Sequence, residues 1–284
     1  MRELLILGTA SQVPTRTRNH NGYLLRRDDG DFLFDPGEGT QRQMLLAGVD
    51  TSRITRICLT HVHGDHCYGL PGVLSRMALD KVEHPIHLHY PASGEETVRA
   101  LVSIASPGVD LRLHPHGGFA YGGLEHNGPG HRAAEAIAPG LYIRALEHRI
   151  ETYGYRCTEP DGNGGPNSHA GPDAKGLPPS PSFAFVMDTA PCTGAEELAD
   201  GADLLVAECT FSDDDADLAS RFRHLTAGQA GELAGSANAR TLVLTHFSSR
   251  YPDVGPLAEQ ARNRARDAVV LAANDLDRIP YPAR

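Results

Sequence analysis

The chain has 284 residues, 40% of them hydrophobic and 22% charged, and a formal net charge of −10. That length suits one large globular domain with a substantial core. The acidic balance excludes a globally basic nucleic-acid binder though not a local basic track, and no apolar run approaches the ~18 residues of a membrane span. Residues 1–8 read as a first strand without the cleavage site of a secretory signal, so a cytoplasmic location is expected. The five cysteines (Cys58, Cys67, Cys157, Cys192 and Cys209) form no CxxC pair and read as reduced thiols.

Residues 4–6, 23–26 and 32–34 read as strands, the last ending at Asp35. A helix is predicted over 39–46, with Gly48 suited to its C-terminal cap. Residues 56–60 read as a short buried strand, and a helix is expected to open at Leu70 with Pro71 in its first turn. A strand over 86–90 precedes a helix through Ile104, with Ser93 and Glu96 as a capping box. Residues 105–140, rich in Gly, Pro and His, carry no clear element, and His114, His116, His126 and His131 are expected at the surface. A strand over 141–146 leads to His148. Eleven of the 23 residues in 159–181 are Gly or Pro, which predicts a loop or disordered segment. Beyond it, strands over 183–187, 204–207 and 241–245 end at Asp188, Glu208 and His246. Thr226 and Gln229 form a second capping box before a helix to about Ala237, and 258–268 is the last long helix. Strands and helices alternate, and Asp35, His61, His148, Asp188, Glu208 and His246 all follow strand ends, which points to a layered α/β structure.

The run His61-Val62-His63-Gly64-Asp65-His66 is the densest chemical signal. His61 and His63 alternate, so both face one way if the chain stays extended and can grip one cation. Asp65 and His66 follow a glycine expected to allow a sharp turn, and can reach a second cation. The run lies between a strand and a helix, where open α/β layers commonly bind ligands. Cys67 adjoins it but reads as core packing. Arg16, Arg18, Arg53, Arg56 and Arg250 are candidates for a basic track.

The HxHxDH run resembles the signature of the metallo-β-lactamase superfamily, and the chain is similar, within it, to the ribonuclease Z family. Residues 7–10 and Pro14-Thr15-Arg16-Thr17-Arg18-Asn19 resemble that family's first strand and basic acceptor-stem loop. Residues 34–41, 146–156, 187–189, 208–211, 224–227 and 244–248 resemble its remaining motifs, in order. The resemblance implies a four-layer αβ/βα sandwich, a metal-dependent phosphodiesterase and two zinc ions, although manganese or iron also suits such ligands. By the same resemblance His61, His63 and His148 hold one zinc, Asp65, His66 and His246 hold the other, and Asp188 bridges them. Asp35 orients a ligand from behind. The resemblance also implies that Asp65 takes a proton from the attacking water and that His224 with Glu208 protonates the departing 3′ oxygen. The resemblance further implies that Arg16, Arg18 and Asn19 contact substrate. The implied substrate is precursor tRNA, cut by a homodimer.

Two features depart from the family's pattern. Residues 176–181 (GLPPSP) resemble the stem of a projecting tRNA-binding arm, but the strands and basic tip that should follow are missing. The remnant 159–181 has Lys175 against Glu159, Asp161 and Asp173, and this net charge of −2 cannot release counterions from a phosphate backbone. Ala207 stands where the family usually has histidine. The alternative is a hydrolase of the same fold that acts on a small cyclic or aryl phosphodiester, a lactone or another ester.

Overall fold

The computed structural model describes residues 2–117, 135–158 and 182–281. In chain order the strands begin β1 (Glu3–Gly8), β2 (Ala10–Ser11), β3 (Gly22–Arg26), β4 (Asp31–Phe34), β5 (Ile54–Cys58), β6 (Ile86–Pro91) and β7 (Leu111–His116). They continue with β8 (Glu135–Ala138), β9 (Leu141–Ala145), β10 (Tyr153–Thr158), β11 (Ser182–Val186), β12 (Leu204–Glu208) and β13 (Thr241–Thr245). The last are β14 (Phe247–Ser248), β15 (Val269–Ala272) and β16 (Arg278–Pro280). The helices are α1 (Thr40–Leu46), α2 (Gly64–Cys67), α3 (Leu70–Leu79), α4 (Glu95–Ser103), α5 (Thr193–Ala199), α6 (Ala216–Phe222), α7 (Ala227–Ser236) and α8 (Gly255–Arg262). The chain divides into two compact units. The first comprises Met1–Gly118, Thr245–Val254 and Ala272–Tyr281, and the second Phe119–Leu244, Gly255–Leu271 and Pro282–Arg284.

The first unit is built on a seven-stranded sheet of order β16-β1-β3-β4-β5-β6-β7. Strands β4 to β7 run parallel, and each step between them passes through helix, as parallel neighbours require. Leu70, Val73, Leu74 and Met77 recur at helical spacing along α3 and are all buried. They share one apolar cluster with Ile57 of β5 and Leu88 of β6. The parallel steps leave Asp35 and His61 beyond the carboxyl ends of neighbouring strands β4 and β5.

The second unit carries a seven-stranded sheet of order β15-β13-β12-β11-β10-β9-β8. Strands β9, β10 and β11 pair antiparallel in turn, and β11 pairs parallel with β12 across α5. Strands β9, β11 and β12 therefore point the same way, which places His148, Asp188 and Glu208 at one end of this sheet. The Thr226–Gln229 capping box that opens α7 is formed, with both reciprocal bonds present.

Several expectations needed correction. Ala92–Gly94 form a 3-10 turn, so α4 starts at Glu95 with Gly94 rather than Ser93 at its N-cap position. Glu95 accepts the Tyr90 hydroxyl and Arg99. The last helix runs Gly255–Arg262, and the left-handed backbone of Arg266 (φ 51°) is incompatible with its continuation through 258–268. His116 is buried and His114 half-buried on β7, because that strand pairs with β6 and sets His114 beside His89. His126, His131 and the 159–181 segment lie outside the described residues. All five cysteines are free, and Cys67 is buried with its thiol toward the His63 carbonyl.

Candidate metal centre and catalytic groups

In the first unit the HxHxDH run leaves β5 extended and then coils into α2. His63 has extended backbone (φ −65°, ψ 149°), and Gly64 opens the helix. Gly64 does not have the positive φ of a sharp turn. Its reason is steric: a Cβ there would lie 2.2 Å from Cε2 of Tyr68. The coil swings Asp65 and His66 to meet His246, which follows β13. Asp65 Oδ2 lies 3.4 Å from His66 Nε2 and 3.5 Å from His246 Nε2. These ligand atoms all fall within 4.8 Å of one another.

His66 and His61 are each held from behind. His66 Nδ1 is 2.9 Å from Asp35 Oδ2, which turns Nε2 toward Asp65, with Asn21 Nδ2 also 3.2 Å from it. Asp35 is held in turn by the Thr60 amide (2.8 Å) and hydroxyl (2.7 Å). His61 Nδ1 lies 3.0 Å from the Thr60 hydroxyl, and its Nε2 is 2.9 Å from His63 Nδ1. Burial alone would raise the Asp65 pKa, but His66 and His246 beside it outweigh burial and hold the carboxyl well below the usual carboxylate range.

In the second unit His148 Nε2 lies 3.7 Å from Asp188 Oδ2, and its Nδ1 is 3.0 Å from the Arg223 carbonyl. His224 Nε2 stands 4.0 Å from the same carboxylate oxygen, while its Nδ1 is 2.9 Å from Glu208 Oε1. Glu208 is fully buried, yet it accepts the Thr189 amide at 2.8 Å and the Thr210 hydroxyl at 2.5 Å. That clamp fixes the carboxylate against the imidazole. Asp35 (φ 43°), Asp188 (φ 26°) and His246 (φ 57°) all have left-handed backbone. Such conformations cost of order 1–3 kcal/mol and gather at functional sites.

The basic-loop residues divide. Arg16 is exposed, whereas Arg18 and Asn19 are turned inward onto Thr9, Ala273 and Glu38. Arg53 and Arg56 are engaged by Asp31 and His89. Sequence reasoning passed over Thr60, Thr189, Thr210 and the Gly64–Tyr68 contact. Each threonine sits one or two residues from a candidate ligand or acid, the one signal available beforehand.

A divalent cation fits the Asp65–His66–His246 set. One carboxylate and two imidazoles are the usual donors for zinc, manganese or iron, and their close approach leaves room for an ion among them.

The model of the metallo-beta-lactamase superfamily matches residues 15–131. Ribonuclease Z of Nocardia farcinica is 48% identical over 312 residues, covering 100% of this chain and 99% of that one. The chain belongs to the ribonuclease Z family. Ribonuclease Z of Streptomyces coelicolor is 45% identical over 309 residues, again with 100% and 99% covered. Human tRNase Z, short form (ELAC1), matches in structure with a TM-score of 0.74 at 25% identity, covering 99% of this chain and 100% of that one. The metallo-beta-lactamase fold protein YhfI from Bacillus subtilis shares the fold, with a TM-score of 0.73 at 17% identity over 98% of each chain. The fold is thus the α/β sandwich of the metallo-β-lactamases, as the motifs implied. As a member of the ribonuclease Z family, the chain is a metal-dependent hydrolase of the endoribonuclease class. Among the described residues no helix is long and apolar enough to cross a membrane.

Proposed function

We propose that this chain is a dinuclear zinc phosphodiesterase that cuts precursor tRNA on the 3′ side, working as a cytoplasmic homodimer. The observation that carries the reading is the convergence of Asp65, His66 and His246 in a chain 48% identical, end to end, to a ribonuclease Z. On this reading the two units serve as one hydrolase domain over residues 1–284, and 159–181 stands in place of the family's substrate arm.

His61, His63 and His148 would hold one zinc and Asp65, His66 and His246 the other, with Asp188 shared between them and Asp35 fixing His66. Bound there, such ions acidify water and offset charge on phosphorus. Asp65 accepts a proton from the attacking water. As the P–O3′ bond breaks, His224 gives a proton from Nε2 to the departing 3′ oxygen. Glu208, 2.9 Å from Nδ1, keeps that imidazole oriented and supports its charge. The products are a 3′-hydroxyl on the tRNA and a 5′-phosphate on the trailer. Arg16, exposed on the basic loop, is suited to meet a phosphate of the acceptor stem.

A second reading, hydrolysis of a small phosphodiester or ester, draws on the net charge of −2 over 159–181. One comparison separates the two. The metal-replete protein is given a precursor tRNA transcript and bis-p-nitrophenyl phosphate, with and without chelator. Chelator-sensitive release of the 3′ trailer is expected. Turnover of the small diester with an intact transcript would replace the first reading with the second.

A further inference from the structure

We propose that Asp275 is a positioning residue that holds the Gln12–Thr17 loop in place for substrate, and that Arg18 and Asn19 act through this fastening rather than by touching RNA. The inference rests on the RNA reading above and deepens it.

Residues 12–17 form an exposed excursion between β2 and β3. Both of its ends are pinned within the first unit. At the near end the Gln12 amide donates to Asp65 Oδ2 at 2.9 Å, and Gln12 takes a left-handed backbone (φ 61°) to do so. His20 Nε2 lies 3.2 Å from the Gln12 carbonyl. The loop therefore hangs from a candidate metal ligand.

At the far end the fastening is Asp275. Its Oδ2 accepts the Asn19 amide at 2.6 Å and Gln43 Nε2 at 3.2 Å. Its Oδ1 accepts the Thr9 hydroxyl at 2.7 Å. Arg18 donates to the same Thr9 hydroxyl at 2.7 Å and to the Ala273 carbonyl at 3.0 Å. The Arg18 guanidinium also lies 4.9 Å from the centroid of the Phe247 ring, next in sequence to His246. The Asn19 side chain is spent on the Glu38 carbonyl at 2.8 Å and the His20 carbonyl at 3.1 Å. Arg18 and Asn19 are both half-buried, and these polar atoms are committed to protein partners.

An acid suits this place for a chemical reason. Three neutral donors converge on it, with a cation close by, and an ionised carboxylate has only acceptors to offer. Asparagine would turn an NH2 group toward at least one of the three donors. The carboxylate has its own support. Asn274 donates to Asp277 at 2.8 Å and Leu276 to the Ile6 carbonyl at 2.7 Å, which ties the bend to β1.

The test compares wild type with Asp275→Ala, Asp275→Asn and, should the first fail to fold, Thr9→Val. Five quantities are read: KM and kcat on a precursor tRNA transcript, turnover of bis-p-nitrophenyl phosphate, bound metal, and amide hydrogen exchange over residues 12–19. Asp275→Ala should raise KM for the transcript by roughly tenfold, the size expected of a lost charge-assisted hydrogen bond. Exchange over 12–19 should quicken, while small-diester turnover and metal content hold within about twofold. Asp275→Asn and Thr9→Val should fall between. Unchanged exchange and KM would overturn the inference, and so would loss of bound metal or of small-diester turnover. Should wild type leave the transcript uncut, the RNA reading fails, and exchange over 12–19 still decides whether Asp275 fastens the loop.

Discussion

Gly64 and Tyr68 stand one helical turn apart, with the Tyr68 ring lying against the bare Cα of the glycine. A Cβ at position 64 would sit 2.2, 2.4 and 2.7 Å from three ring carbons. The glycine inside the HxHxDH run thus serves packing beside Asp65 rather than a tight turn.

Gly64→Ala should therefore displace the Tyr68 ring or the first turn of α2. We expect activity to fall, because the first turn of α2 carries Asp65 and His66, at a modest cost in stability. Restoration by a second change, Tyr68→Ala, would confirm that the conflict lies with the ring. Failure of the double variant to recover would place the cost in the backbone instead.

His66 is aimed by Asp35, and the two contacts from Thr60 leave that carboxylate no other orientation. Asp35→Asn should weaken metal affinity by roughly 10–100-fold, the usual cost of losing such a partner. His246→Ala and His63→Ala should remove bound metal and activity together. Chelator competition followed by elemental analysis reads all three, and an unchanged metal content in His246→Ala would refute the Asp65–His66–His246 set.

His224→Ala should slow turnover by about 10²–10⁴, the range for a positioned acid, with metal content intact. Glu208→Gln should cost less, since the imidazole keeps a hydrogen-bond partner. Metal lost along with activity would make His224 a ligand rather than an acid.

A third set of histidines bears on acid stability. His87, His89 and His114 stack on the β6–β7 face, with Arg56 3.1 Å from His89 and His116 close by on β7. Burial first, then Arg56 and the other imidazoles, depress the His89 pKa to about 2. Burial and Arg56 also lower those of His87 and His114. The unfolded chain binds the protons that the folded one refuses. Stability should therefore be full above about pH 6.5 and fall progressively below it, by about 1.4 kcal/mol per pH unit for His89 over this range. Urea midpoints at pH 7.5, 6 and 5 should drop in wild type and drop less in His89→Gln. Parallel curves for the two proteins would show that His89 is not the sensor.

The sequence alone determined the strands that carry the candidate ligands, the HxHxDH run and the family, because these depend on local periodicity and on residue order along one chain. Residues 241–245 form a strand as predicted, and His246 follows it directly. Tertiary structure alone decided what each side chain faces. Arg18, readable as a phosphate contact, is turned inward because Thr9 and Ala273, nine and 255 residues away in sequence, supply its acceptors. His116, expected at the surface, is buried because β7 pairs with β6. Asp275 drew no notice in the sequence, since its partners Thr9 and Asn19 lie 266 and 256 residues away. Periodicity reports which residues share a face of one element, whereas burial and hydrogen-bond partners are properties of what folds against that face.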